Sequence, residues 1–486
     1  MQLDLVPPTA RIIDVRSGRA LDYAAFRRAV GARAAVLREA VLRGDTVAMC
    51  HRDGMVLLVD LFAVWQTGAA ALVLSPSLTA SERSRIAAWA KPACWIGQPV
   101  SPEGIPRIAP ELEDWADTQA GFCPSAQIGP SSNDAALILL TSGSTGMPKG
   151  VVLGHRALSI RLSGNIRQIG KPTLARTLVP LPLHFGHGLI GNALSALFAG
   201  GDVLLWPEPG VNGLAHLGAV LDEHAVTFMS SVPSMWRMAL KLSPPPRQKM
   251  LKRVHVGSEP LPAKLWQDIC DWAGTRKVYN MYGMTEAANW ISGASVEDAG
   301  FIEGAVGKPW TGEWRILRED GCLAESGHGE ILLHDPALMN GYANDPEATA
   351  AAFHGSWFRT GDIGELDSDG TLRIVGRRKN QINRGGIKIA AEEVELILEQ
   401  HPDVQQTCAF ALPDVVSGEI VAAAVVLKNG SNTSQAALQA WCAERLRQEA
   451  VPSRIIFLAD IPRNDRGKKV RNAVREFAWA ELGRSP

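Results

Sequence analysis

Hydrophobic and polar positions alternate between two periods along the chain. Residues 21–42 repeat apolar positions at helical spacing and predict an amphipathic helix. Residues 45–49 read as a strand, 55–67 as an apolar helix and 69–74 as a second strand. A polar connector at 119–133 leads into strands at 135–140 and 151–153, followed by a helix at 155–167. Further on, strands at 202–206, 227–231 and 254–257 alternate with helices at 214–224 and 234–242. Pro244, Pro245 and Pro246 cannot continue the last of these helices. Another strand falls at 329–333. Strands alternating with helices predict an α/β fold whose parallel or mixed sheets are covered on both faces. A smaller α/β pattern ends the chain, with helices at 391–400 and 434–448 around strands at 405–412 and 419–427.

Bulk properties narrow the class. The 486 residues exceed one ordinary domain. Lys and Arg number 49 against 50 Asp and Glu, a formal charge of −1, so no basic face for nucleic acid is expected. The 7 cysteines are scattered, odd in number and without metal-ligand spacing, which points to a reduced, cytoplasmic protein. The most apolar window, 55–74, contains Asp60, Gln66 and Gly68 and reads as a buried helix and strand, not a membrane span. Residues 1–16 lack the apolar core of a signal peptide.

The chemistry concentrates in residues 139–150, Leu-Leu-Thr-Ser-Gly-Ser-Thr-Gly-Met-Pro-Lys-Gly. Small hydroxylated residues and glycines supply close backbone N–H groups and hydroxyl donors, and Lys149 supplies charge, as an anion cradle requires. Pro148 and Gly150 stand where the common nucleotide loop would have Gly and Ser or Thr, and Pro disfavours a helix start there, so strand–loop–strand is predicted. The string resembles the signature loop of the adenylate-forming superfamily, which includes acyl-CoA synthetases, carrier-protein ligases, peptide-synthetase adenylation domains and beetle luciferases. The resemblance makes Thr141, Ser142, Gly143, Ser144, Thr145, Gly146 and Lys149 the phosphate contacts.

Other runs match the same family. Asn280-Met281-Tyr282-Gly283-Met284-Thr285-Glu286 offers a ring for adenine, a hydroxyl for the α-phosphate and a hard oxygen ligand for Mg²⁺. The resemblance gives those roles to Tyr282, Thr285 and Glu286, and lays Gly257, Ser258 and Glu259 along the adenine face. Asp362, in Trp357-Phe358-Arg359-Thr360-Gly361-Asp362, becomes the ribose acceptor, Arg377 a nucleotide contact and Lys379 the hinge. Gly467-Lys468 matches the family's catalytic lysine pair, although Asn464 stands where relatives have Thr; Lys469 is the alternative if the register moves by one. His184, Phe185 and His187, in a Pro-Leu-aromatic element, are acyl-pocket candidates, with Trp236, Asn289 and Trp290.

The resemblance implies a large N-terminal domain of mixed sheets with helices, residues 1–378, and a small mobile C-terminal α/β domain, residues 379–486. It implies that a carboxylic acid reacts with ATP and Mg²⁺ to give an acyl-adenylate and pyrophosphate, and that the acyl group then passes to CoA. A carrier protein's phosphopantetheine is the alternative acceptor. A non-catalytic relative would be expected to have lost Lys468 or Glu286, and a luciferase-like oxygenase would be expected to carry a peroxisomal address, which Arg484-Ser485-Pro486 is not. No Asp lies between Pro180 and Gly201 to pair with a buried ammonium, which argues against an α-amino acid substrate.

Overall fold

The apolar runs at 46–50 and 70–74 become neighbouring parallel strands, Thr46–Cys50 and Ala70–Leu74. In the computed structural model, residues 3–97, 102–108, 132–141, 149–206, 209–384, 387–414, 417–464 and 468–481 are described. Most of the 119–133 connector and residues 142–148 of the phosphate loop lie outside them. The chain divides into two compact units, Met1–Glu313 with Leu333–Phe358, and Trp314–Leu332 with Arg359–Pro486.

Two sheets organise the first unit. One is seven-stranded. It sets Ala70–Leu74 between Thr46–Cys50 and Ala135–Thr141, all parallel, and folds Lys149–Gly154 back antiparallel on Ala135–Thr141. The two strands predicted to flank the phosphate loop are therefore observed. The helix Gly54–Thr67 is buried from Met55 to Thr67. Apolar on all sides, it is a core helix. The Asp53 side chain accepts from the Met55 and Val56 N–H groups, and Gly68, at φ 85°, ends the helix in the left-handed conformation. Among the described residues no helix is long and apolar enough to cross a membrane.

The other sheet has eight strands. Arg176–Val179, Phe228–Ser231, Arg253–Gly257 and Val278–Met284 run parallel, and Asn289–Ser295 returns antiparallel beside the last. Gly283 is required at that turn: a Cβ there would lie 2.1 Å from the Asn289 carbonyl oxygen.

In the second unit, residues 362–366 pair antiparallel with Leu372–Arg377 as a hairpin. Val404–Asp414 and Gly418–Leu427 form another, with Arg454–Phe457 parallel to Gly418–Leu427. Helix Ala391–Glu399 buries Val394 and Leu398 in the core of this unit. The helix expected at 434–448 stops earlier, spanning Gln435–Ala443. There the Arg445 and Leu446 N–H groups both turn back to the Cys442 carbonyl, and Leu446 and Val451 pack on the core. The helix expected at 214–224 is two pieces, Gly210–Leu214 and Leu217–Glu223.

One buried cation ties the loops of the first unit together. Arg161, on helix His155–Ile169, pairs with Asp335 at 2.9 Å, both side chains being fully buried. Its other guanidinium nitrogens donate to the Ala287 carbonyl at 3.0 Å and to Thr311 Oγ1 at 2.9 Å. Arg161→Met would leave Asp335 buried and without its cation. The expected loss is about 3–5 kcal/mol in urea unfolding followed by tryptophan fluorescence. A loss within the roughly 0–1 kcal/mol of a surface pair would contradict that role.

Candidate functional site

The phosphate-loop hairpin closes on the pair Thr141 and Lys149, where Thr141 Oγ1 donates to the Lys149 carbonyl at 3.3 Å. Ser142, Gly143, Ser144, Thr145 and Gly146 lie outside the described residues. Lys149 Nζ sits 4.6 Å from the Tyr342 ring centroid, a cation–π contact. The Tyr342 hydroxyl donates to Glu286 Oε1 at 3.0 Å. Burial and then the Glu286 carboxylate push the Tyr342 phenol well above its ordinary range, so it remains a donor. Backbone pairing fixes this arrangement: Tyr342 lies opposite Val151, and the Ala343 N–H donates to the Gly150 carbonyl at 2.7 Å. The Met339 N–H donates to the Glu286 carbonyl at 2.8 Å. Tyr342 thus brings Lys149 and Glu286 to one ring. Sequence reasoning assigned it no role.

Glu286 is half-buried in the turn Thr285–Ala287. Among the described residues no group of three or more His, Cys, Asp or Glu could hold a metal. A lone carboxylate with one oxygen already oriented by a phenol suits Mg²⁺, which binds through one or two carboxylates plus phosphate oxygens and water.

Behind this turn, Gly257 pairs with Met281 and Val256 with Asn280. The Asn280 amide donates to the Ala305 carbonyl at 2.9 Å, and Tyr282 is buried. Glu259 accepts from Ser234 Oγ at 3.0 Å. Ser258, at φ 70°, presents its hydroxyl to His187 Nδ1 at 2.9 Å. The other ring nitrogen of His187 meets Ser230 Oγ at 2.6 Å. His184 and Phe185 are half-buried with ring centroids 4.0 Å apart. Trp236 is placed apart from His187. Its indole N–H donates to Ser231 Oγ at 2.7 Å, its ring meets Trp272 edge-on at 5.2 Å, and both tryptophans lie in the same core cluster.

The remaining candidates belong to the second unit. Asp362 and Arg377 lie opposite each other across a hairpin, and Arg377 Nε is 2.7 Å from Asp362 Oδ1. Asp362 is buried and Arg377 exposed, and Lys379 follows in the turn Arg378–Asn380. The adjacent lysines differ sharply. Lys469 Nζ lies 3.0 Å from both Glu395 Oε2 and Glu399 Oε1. Burial works to lower Lys469, but the two carboxylates outweigh it and hold the lysine above its ordinary range. Lys468 is exposed, and its N–H donates to Asn464 Oδ1 at 3.0 Å. Asn464 therefore still contributes a side-chain oxygen to the turn in place of a threonine hydroxyl.

Residues 6–343 match the AMP-binding enzyme family, and residues 393–468 match the AMP-binding enzyme C-terminal domain. The chain is 33% identical to the feruloyl-CoA synthase of Amycolatopsis sp. over 477 residues, 94% of each chain. Its fold is similar to that of ATP-bound MatB from Rhodopseudomonas palustris, with a TM-score of 0.87 and 26% identity over 99% of this chain and 100% of that one. It is also similar to O-succinylbenzoate coenzyme A synthetase from Bacillus subtilis in complex with ATP and magnesium ion, with a TM-score of 0.83 and 26% identity over 96% of each chain. The chain belongs to the AMP-binding enzyme family, the adenylate-forming enzymes that include the acyl-CoA synthetases.

Proposed function

We propose that this chain is an acid–CoA ligase working in two half-reactions. A carboxylate oxygen attacks the α-phosphorus of ATP, the bond to pyrophosphate breaks, and an acyl-adenylate forms. The sulfur of CoA then attacks the acyl carbon, the thiol proton is lost, and AMP leaves. The observation that carries this reading is the alignment of Lys149 and Glu286 on the two polar handles of Tyr342, its ring face and its hydroxyl. That alignment offers cationic and metal-binding groups where negative charge accumulates during phosphoryl transfer.

Glu286 would hold Mg²⁺, which when bound neutralises charge on the phosphate oxygens. Thr285 would donate to the α-phosphate, Tyr282 and the Gly257–Glu259 segment would flank adenine, and Asp362 with Arg377 would hold ribose. The engagement of Lys469 by two glutamates supports Lys468 as the catalytic lysine. Lys379 is the proposed pivot between residues 1–378 and 379–486. The names of the relatives favour CoA as acceptor; a carrier protein's phosphopantetheine carries the same thiol, and assaying both acceptors side by side discriminates. The cysteines are unpaired among the described residues, which suits a reducing, cytoplasmic setting.

Lys468→Ala is expected to slow acid-dependent pyrophosphate release by about 10²–10³-fold. Thioester formation from a supplied acyl-adenylate should be nearly unchanged, and equal loss in both half-reactions would exclude this role. Lys469→Met is expected to lower thermal stability instead, because it leaves Glu395 and Glu399 without their shared cation. Tyr342→Phe removes the donor that orients Glu286. The Mg²⁺ concentration for half-maximal activity should rise by about 10–100-fold, as for other groups that orient a metal ligand. An unchanged Mg²⁺ titration would show that the Tyr342 hydroxyl does not orient a ligand of the ion.

A further inference from the structure

The turn that carries Glu286 continues into two successive non-glycine residues in the left-handed region, Ala288 at φ 52° and Asn289 at φ 90°. Such backbone persists where its surroundings over-determine it, and it clusters at ligand sites. Here it turns Asn289 inward. Asn289 is 7% exposed and its Nδ2 has no hydrogen-bond partner. Nδ2 lies against Gly191: a Cβ on Gly191 would sit 2.2 Å from it and 2.8 Å from the Trp290 ring.

Gly191 belongs to a π-helical turn, His187–Leu194. Wide turns of this kind are rare and frequent at functional sites. The i→i+5 repeat sets His187 and Asn192 on one side, and both meet Ser230. His187 Nε2 contacts its hydroxyl at 2.6 Å, and Asn192 Nδ2 donates to its carbonyl at 3.3 Å. Asn192 is fully buried, and its Oδ1 also lacks a partner. One unsatisfied donor and one unsatisfied acceptor are thus buried beside the His187–Ser230–Ser258 chain. They adjoin the proposed nucleotide residues, since Asn289 pairs with Met284 and Ser258 follows Gly257.

Trp290 limits what fits. It is 2% exposed, and its ring packs edge-on against His187 at 5.7 Å and His255 at 4.5 Å. A methyl group on Gly191 would strike both Asn289 Nδ2 and the Trp290 ring, so the π-helical turn and strand Asn289–Ser295 pack closely at this point and leave little width for an extended apolar chain. A methylene beside Asn289 Nδ2 would leave that donor unsatisfied, whereas an oxygen would satisfy it.

We propose that the acid this enzyme activates is short and carries a second oxygen function, hydroxy, oxo or carboxylate, that accepts a hydrogen bond from Asn289 Nδ2 beside His187. The proposal rests on the ligase reading above. It is tested with the full chain, ATP, Mg²⁺ and CoA by measuring pyrophosphate release with four-carbon acids that differ only in the distal group (butyrate, 3-hydroxybutyrate, acetoacetate, succinate) and with octanoate and cinnamate. At least one oxygenated four-carbon acid should exceed butyrate and octanoate in kcat/KM by about 100-fold or more, as expected when a site built for a hydrogen bond meets an analogue lacking it. Asn289→Asp keeps a residue that tolerates left-handed backbone while exchanging the donor for an acceptor. It should reduce that preference, read as the ratio of kcat/KM for the oxygenated acid to that for butyrate, at least tenfold. Preference for octanoate or cinnamate, or equal loss on every acid in the variant, would overturn the proposal. Pyrophosphate release with octanoate or cinnamate alone would overturn it while leaving the ligase reading intact. Silence with every acid would overturn both.

Discussion

The first unit depends on a buried guanidinium. Arg161 reaches the Ala287 carbonyl, Thr311 and Asp335 at once, and Asp335 in turn accepts from the Ala337 N–H at 2.7 Å. Three loops distant in sequence are thereby held to one helix. Two of them carry the site: the first contains Glu286, and the last leads to Met339, whose N–H holds the Glu286 carbonyl, and to Tyr342. Burying a charge is costly, and desolvation does push Arg161 below its ordinary range. The cost is offset because each of the three guanidinium nitrogens meets an acceptor, and a planar five-donor group can join several loops as no apolar residue could.

The arrangement around Tyr342 keeps opposite charges useful. The ring face attracts Lys149 and the hydroxyl orients Glu286, so the carboxylate is held by a neutral donor. In the second unit the same economy is reversed. Lys469 is committed to Glu395 and Glu399, while Lys468, one residue earlier, is exposed at the turn closed by Asn464. Arg463 bridges Lys469 in an isolated antiparallel pair, which fixes the structural lysine beside the proposed catalytic one.

Local patterns made much of the fold legible. The hairpin around the phosphate loop could be read because apolar runs flank a proline that forbids helix, and helix Gly54–Thr67 because Asp53 caps it and Gly68 ends it. Family motifs named Lys149, Glu286, Asp362 and Lys468 as candidates. What stayed hidden depends on contacts remote in sequence. Tyr342 meets Glu286 across 56 positions, and Ser230 meets His187 across 43. A serine inside a buried strand carries no local mark of that partnership. The π-helical turn His187–Leu194 fits neither the strand period nor the ordinary helical one, so no periodicity could announce it. Trp236 shows the opposite limit, since a tryptophan at helical spacing looks the same whether it lines a pocket or packs against Trp272.

Chemistry and selectivity share one backbone element. Strand Val278–Met284, the turn Thr285–Ala287 and strand Asn289–Ser295 form a single antiparallel excursion, with Glu286 at its tip and Asn289 at its return. Gly283 lets the two strands close, because any side chain there would strike the Asn289 carbonyl. The tight closure forces Ala288 and Asn289 into left-handed backbone, and that backbone turns the Asn289 amide toward Gly191. A substitution that relaxed the turn would move both the carboxylate proposed to bind the cation and the amide proposed to read the acid.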